Sequence, residues 1–371
     1  MSYKELFKLK TNPFRLTPSL NTQEIVWAGF PKLKEEIKKR ILYALKIPNS
    51  RLVLNWGEYG SGKTHSAIYF SDKKVLEKIA NQVDKPIPYT INLLLPKGKN
   101  PVSDFFVSII DSIDIKKLRN KFQDDIERIE ELVFRNSSNK LINNVILNLF
   151  KNDISENYLK QYFYGILSNT DVKKNLAKHD ILRFLSKDDD YVKFLSLLFT
   201  CLTLEQKQYS SVIFWIDEFE DITTLNSSSI DQLNNFLREF INNTPNHLLL
   251  FLNFTLSPVD SVEDISKHLS PAVLDRIKSR IEFKQPSPGD LKLYLNDLLN
   301  HPKFRVGSVE NKFHPFTEES IQSIENELGV VSLRRYNEAF SILLDIAEME
   351  DQEVITADFV NKYKNEFAGW K

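Results

Sequence analysis

Apolar residues along this chain recur in two ways, every three to four positions or in short unbroken runs, and the two kinds of segment alternate through most of its length. Leu33, Ile37, Ile41 and Leu45 share one face of a helix predicted over 31–47, opened by Pro31. Leu52-Val-Leu-Asn-Trp reads as a short buried strand that runs into a glycine cluster, and a helix begins over 64–70. A second strand is predicted over 87–95, and after the polar turn Lys97-Gly-Lys-Asn an amphipathic helix over 102–113. The apolar helix 191–204 leads into Val212-Ile-Phe-Trp-Ile, whose unbroken run fits a parallel strand covered on both faces. Leu248-Leu-Leu-Phe-Leu-Asn-Phe-Thr is another of that kind, and Ile281-Glu-Phe a short further one.

Two stretches depart from this alternation. Residues 116–188 are charged, rich in Asn and Lys and helical in period, with breaks expected at Asn136-Ser-Ser-Asn and Ser168-Asn-Thr-Asp, which reads as a helical insertion. After Lys284-Gln-Pro-Ser-Pro-Gly-Asp only helices are predicted, near 288–300, 317–328, 332–349 and 356–367. Ser287 as cap, Pro288 at the first position and Asp290 at the third mark the boundary. At the other end, the two prolines in Asn12-Pro-Phe-Arg-Leu-Thr-Pro-Ser argue for an extended strap before the first long helix. The expected fold is α/β: a parallel sheet with flanking helices over 1–286, carrying the insertion, and a small all-helical domain over 287–371.

Composition narrows the class. The 371 residues, 42% hydrophobic and 27% charged, are those of an ordinary globular protein rather than a collagen-like, disordered or disulfide-built one. A net charge of -1 gives no global field toward nucleic acid or an anionic membrane, so any such binding must be local. Cys201 alone permits no internal disulfide, no apolar run approaches the length of a membrane helix, and the start lacks an apolar signal core, so a cytoplasmic location is expected. The six histidines show no ligand spacing. Glycine is scarce, 10 residues against roughly 26 at average usage. Gly57, Gly60 and Gly62 nevertheless fall together, so that segment needs unusual backbone or close approach.

Gly57-Glu-Tyr-Gly-Ser-Gly-Lys-Thr matches G-x-x-x-x-G-K-[ST] between a predicted strand and a predicted helix. Backbone N–H groups of Gly60, Ser61 and Gly62 can converge on a β-phosphate, Lys63 can reach the β- and γ-phosphates, and the Thr64 hydroxyl can bind Mg²⁺. His65 follows as a further residue beside the bound nucleotide, or as a helix surface or packing residue. Asp217 and Glu218 end an apolar strand, where ligands of open α/β sheets collect; alone such a pair is a helix cap or a solvated edge. With Lys63 upstream they read as a Mg²⁺ holder and as the group that orients or deprotonates an attacking water. Glu220 and Asp221 read as solvated. Asn253, polar in an apolar run, is a candidate to hold that water or the γ-phosphate, with Thr255 as substitute and a plain strand-end turn as the alternative. Arg276 and Arg280, four apart, read as one face near a helix end, for salt bridging or for a neighbour's γ-phosphate. Arg334 in the helical domain reads either as a nucleotide contact or as helix solvation.

In their order these motifs resemble the AAA+ ATPases, in particular the origin-recognition, helicase-loader and transposition-helper branches. The resemblance covers the Asn12-Pro-Phe strap, Walker A at 57–64, Walker B at 212–218, sensor 1 at Asn253, the Ser279-Arg280 box, sensor 2 at Arg334 and the closing Val354-Ile-Thr-Ala-Asp-Phe-Val. It implies that strap and first helix border the adenine, that Arg280 is an arginine finger in a homo-oligomer, and that Arg334 contacts the γ-phosphate from a lid. Lys63 and Asp217 lie 154 positions apart, more than the core fold needs, and the chain ends soon after the lid, without the winged helix of origin-binding relatives.

The expected activity is Mg²⁺-dependent ATP hydrolysis by an oligomeric switch controlling DNA or a DNA-processing partner, in mobile-element or genome-defence biology. The rival is a nucleotide switch acting only on protein partners through the insertion. Lys97, Lys99 and Lys116-Lys-Leu-Arg-Asn-Lys are the local basic features that favour DNA. A small-molecule phosphotransferase suits the acidic pair, arginines and helical lid less well.

Overall fold

The protein is described by a computed structural model over residues 3–15, 25–166, 170–257 and 262–369. Five strands, β1 (Arg51–Glu58), β2 (Tyr89–Leu94), β3 (Val212–Asp217), β4 (Leu248–Leu256) and β5 (Ile277–Phe283), form one sheet. Its order is β2-β3-β4-β1-β5 and every pairing is parallel. The unbroken apolar runs become the central strands: every residue of β3 is buried, because helices cover both faces. On one face Val53, Trp215 and Phe251 pack against helices Pro31–Lys46, Lys63–Tyr69 and Lys73–Ala80. On the other, Leu54, Phe214 and Leu250 meet helices Pro101–Asp111, Asp188–Leu202 and Ser227–Asn243.

The helical insertion is built into that second face. Helices Ile115–Phe122, Ile126–Asn136, Lys140–Phe150, Glu156–Phe163 and Thr170–Ala177 contribute Phe122, Ile129, Ile146, Leu159 and Val172 to the same buried cluster as the sheet. Buried Asp125 ties it to the loop entering β3, accepting from Lys207 Nζ at 2.5 Å and Gln208 Nε2 at 2.8 Å. The break expected at 136–139 is there, with Asn139 capping the next helix; Ser168 and Asn169 lie outside the described residues.

Helices Pro288–Leu299, Glu318–Leu328, Leu333–Met349, Ala357–Lys362 and Lys364–Ala368 enclose a third cluster. Ser287 and Asp290 form a reciprocal capping box with Pro288 in the first turn, which fixes where the first of these helices starts. The N-terminal segment, assigned by sequence to the sheet domain, packs here instead: Leu6, Phe7, Leu9 and Phe14 are buried in this cluster. Lys10 N donates to Phe304 O at 2.7 Å, Val306 N to Lys8 O at 2.8 Å, and Phe14 stacks on Phe340 with centroids 5.1 Å apart. Of the strap, which runs up to the first long helix, 12–15 and 25–30 are described and 16–24 lie outside the described residues.

One element differs in type. Arg276 and Arg280 were expected on one helix, yet the helix is only Pro271–Leu274, and Arg280 lies within β5. Ile277, Ser279, Ile281 and Phe283 alternate with Lys278, Arg280 and Glu282, the period of a half-exposed edge strand. Among the described residues, no helix is long and apolar enough to cross a membrane.

Candidate nucleotide site

At the carboxyl end of β1 the chain turns through Gly60 and Gly62, with φ of 77° and 97°, a region open chiefly to glycine. Gly60 is also fixed by what lies against it. A Cβ there would stand 2.7 Å from Arg334 Cβ and 2.9 Å from Ser332 Oγ, and Arg334 N donates to Gly60 O at 3.3 Å, so the helical domain sits directly on the loop. Gly57 is pressed against β5, where an added Cβ would meet Phe283 O at 2.5 Å. Lys63 opens the following helix and is 6% exposed, its Nζ donating to Gly57 O and Glu58 O, each at 2.9 Å, and to Ser61 Oγ at 3.2 Å. Burial pulls its pKa down to about 8 against the opposing pull of Glu220, Asp217 and Glu58. An ammonium held this way on the cavity wall suits an anion.

The acidic side comes from β3. Asp217 is buried, and its Oδ1 accepts from Asn253 Nδ2 at 3.1 Å. Asn253 is fully buried, its Oδ1 accepting from Asn55 Nδ2 at 2.8 Å. Sequence reading turned Asn253 toward an attacking water or γ-phosphate; the structure turns its polar atoms to Asp217 and Asn55, behind the cavity wall. Glu218 leaves the strand with a left-handed φ of 51°, which carries its half-exposed carboxylate outward, 3.7 Å from Lys97 Nζ. Lys97 also pairs with Asp221 at 2.9 Å. Glu220, expected in solvent, is half-buried and accepts from Thr255 N at 2.8 Å; Asp221 is likewise half-buried.

Between these parts lies a cavity of about 350 Å³, within the range of small-ligand sites. The glycine loop from Gly60 through Thr64 and His65, the acidic group Asp217, Glu218 and Glu220, and Thr255 line one side. Val26, Trp27 and Phe30 of the strap line another, and Tyr294, Arg334 and Asn337 of the helical domain close it. Arg334 NH1 donates to the Tyr59 hydroxyl at 2.5 Å, with its guanidinium 5.0 Å from that ring. His65 Nε2 lies 3.0 Å from Val26 O, and its ring 6.2 Å from that of Trp27; burial pushes its pKa down, so a neutral imidazole donates Nε2–H to the strap. It packs between helix and strap. Tyr59, Trp27 and Asn55 were not singled out from the sequence. Only a polar residue inside an apolar run could have drawn attention to Asn55.

The Thr64 hydroxyl and the Asp217 carboxylate are hard oxygen donors on the same cavity, a donor set that would suit Mg²⁺. Among the described residues, no group of three or more His, Cys, Asp or Glu could hold a metal on its own, so such a cation would take its remaining ligands from phosphate and water. Arg276 and Arg280 lie outside this lining. Arg276 is tied by Nε and NH2 to Asn242 Oδ1 at 3.0 and 2.7 Å, and Arg280 is exposed with no partner among the described residues. Of the basic features, Arg119 is spent on the carbonyls of Asn148, Leu149 and Ile154, and Lys121 lies 4.2 Å from the Tyr209 ring centroid.

No family model matches the chain, and no curated protein matches its sequence. Solved structures do match in fold. The ORC2 protein of Aeropyrum pernix, solved with ADPNP and ADP, is 13% identical with a TM-score of 0.54 over 98% of this chain and 73% of that one. Cdc6p of Pyrobaculum aerophilum is 13% identical with a TM-score of 0.51, over 97% and 72%. At such identities the likeness is one of fold: the chain has the AAA+ P-loop fold, a parallel sheet with flanking helices and a C-terminal helical domain.

Proposed function

We propose that this protein binds ATP with Mg²⁺ and hydrolyses it, and that its nucleotide state, read within a homo-oligomer, switches contact with a macromolecular partner. The observation that carries the reading is the cavity on which Lys63, Thr64, Asp217 and Glu218 meet Arg334 of the helical domain. The loop N–H groups and Lys63 bind the phosphates, and Thr64 and Asp217 hold the cation. Bound Mg²⁺ neutralises charge on the phosphate oxygens. Glu218 orients or deprotonates the attacking water, and Arg334 exchanges the Tyr59 hydroxyl for phosphate. The ADPNP and ADP in the fold's A. pernix representative support a nucleotide as occupant. Glu218→Gln tests it: ATP binding is retained, and turnover falls by roughly 10² or more through loss of a positioned base. Normal turnover in that variant would remove Glu218 from the reaction.

For the partner, DNA or a DNA-processing assembly of a mobile element or defence system is one reading; a protein partner docked on the insertion is the other. The pairing of Lys97 with Glu218 and Asp221, and the internal use of Arg119 and Lys121, favour the protein partner, since those cations are no longer available to phosphates. Titration of single- and double-stranded DNA against salt, with and without ATP, should show no steeply salt-dependent affinity. Tight binding that weakens with salt and is lost in Lys99→Glu restores the DNA reading.

A further inference from the structure

Three polar side chains, Asn55, Asn253 and Asp217, lie side by side at the buried centre of the sheet. β1 and β4 pair with Asn55 opposite Asn253, and β3 and β4 pair with Ile216 opposite Leu252, which brings Asp217 beside Asn253. All three lie on the face that also buries Val53, Trp215 and Phe251, beneath the first turn of the helix from Lys63; Asn253 Nδ2 comes within 3.5 Å of Lys63 O. The direction of the hydrogen bonds is dictated from one end. Ionised Asp217 can only accept, so the Asn253 atom facing it is the amide nitrogen. Asn253 Oδ1 must then face β1, where only a donor satisfies it, and Asn55 Nδ2 meets it at 2.8 Å.

That arrangement leaves Asn55 Oδ1 buried without a partner. A buried carbonyl with no hydrogen bond opposes folding, and Leu52, Val53 and Leu54 before it fill the strand with apolar groups. An apolar residue at 55 would leave Asn253 Oδ1 unpaired in place of Asn55 Oδ1, so fold stability favours neither, whereas the orientation of Asn253 requires the donor. We infer that Asn55 is a positioning residue: it fixes which way the Asn253 amide points, and through it holds the Asp217 carboxylate in the orientation that meets a nucleotide-bound divalent cation. The inference rests on the nucleotide reading above and deepens it by adding a residue outside both the glycine loop and the acidic pair.

The test compares wild type with Asn55→Leu, Asn55→Asp, Asn253→Leu and the Asn55→Leu/Asn253→Leu double variant. Three quantities are measured: affinity for a fluorescent ATP analogue in EDTA and in Mg²⁺, turnover, and the thermal midpoint of the empty protein. In Asn55→Leu, affinity in EDTA and the thermal midpoint are kept or improved, while the gain in affinity from Mg²⁺ and the turnover fall by about 10- to 100-fold, the usual cost of losing an outer-shell partner. Asn55→Asp falls further. Its carboxylate captures the Asn253 amide and turns Asn253 Oδ1 toward Asp217, setting oxygen against oxygen. In the Asn253→Leu background, Asn55→Leu adds no further loss, because it acts only through the residue already removed.

Unchanged Mg²⁺ dependence and turnover in both Asn55 variants overturns the inference. So does a loss in Asn55→Leu that is shared by EDTA affinity and thermal midpoint, or a failure of both variants to fold, since each points to a structural role. Additive losses in the double variant overturn it as well. Absence of nucleotide binding by wild type is a different result: it removes the nucleotide reading itself, and this inference with it.

Discussion

Lys63→Ala is expected to lower ATP affinity by about 10² to 10⁴, below detection in an ordinary calorimetric titration. The side chain is the one cation in the glycine loop, and its ammonium is desolvated and directed onto Gly57 O, Glu58 O and Ser61 Oγ. Contacts from that ammonium to two phosphates would contribute about 1.5–3 kcal/mol each, and every 1.4 kcal/mol is about tenfold in affinity. The same burial sets a pH dependence. With its pKa lowered to about 8, Lys63 is charged below that value and loses its proton as pH rises through it. A bound triphosphate favours the charged form, so wild-type affinity should decline above about pH 8 with uptake of a proton on binding, and Lys63→Ala should lack that limb. Calorimetry in buffers of different ionisation enthalpy reads the proton, and a thermal melt checks that the variant is folded. Unchanged affinity in the variant would remove the loop from phosphate binding.

Much of the frame that presents Lys63 was legible in the sequence, and the reasons are local. The central strands announce themselves because a parallel strand covered on both faces has no polar side to hide, as in Val212-Ile-Phe-Trp-Ile. The capping box at Ser287 and Asp290 is likewise read within four residues. What escaped depends on distant parts of the chain. Nothing near Phe14 says that its neighbours are Phe316 and Phe340, some three hundred positions on. Asn253 drew notice as a polar residue in an apolar run while Asn55, the same signal one strand over, did not; their meaning comes from the register that sets them side by side. Glu220 was read as solvated because a run of acids usually is, and its bond to Thr255 N needs β4 in place. Ile281-Glu-Phe was read as a strand, but the residues of that edge strand up to Arg280 were taken for a helix end because Arg276 and Arg280 have a spacing of four, although Ile277 to Phe283 alternates with a period of two.

That correction changes the argument for Arg280 and sharpens its test. β5 is an edge strand, paired to β1 alone, and Arg280 stands opposite Leu54, three positions before the Phe283 that pairs with Gly57. At about 3.3 Å per residue, its backbone lies roughly 10 Å back from the level at which the glycine loop begins. It is exposed and lacks a partner among the described residues, whereas Arg276 is tied to Asn242 and to Ala272 O. An arginine so placed lies outside the cavity of its own subunit, exposed on the edge strand of the sheet. If a second copy of the chain covers it, Arg280→Ala should leave ATP affinity intact and lower turnover by about 10³ to 10⁵, the contribution of an arginine supplied in trans. Wild-type turnover per subunit should then rise with protein concentration until the oligomer is complete. Mixing Arg280→Ala with Lys63→Ala subunits, each inactive alone, should recover part of the activity, because one supplies an intact loop and the other an intact arginine to the shared site. Turnover per subunit that is independent of concentration, together with no recovery on mixing, would mean that each subunit completes its own site, and Arg334, already seated on the glycine loop, would be the arginine to remove next.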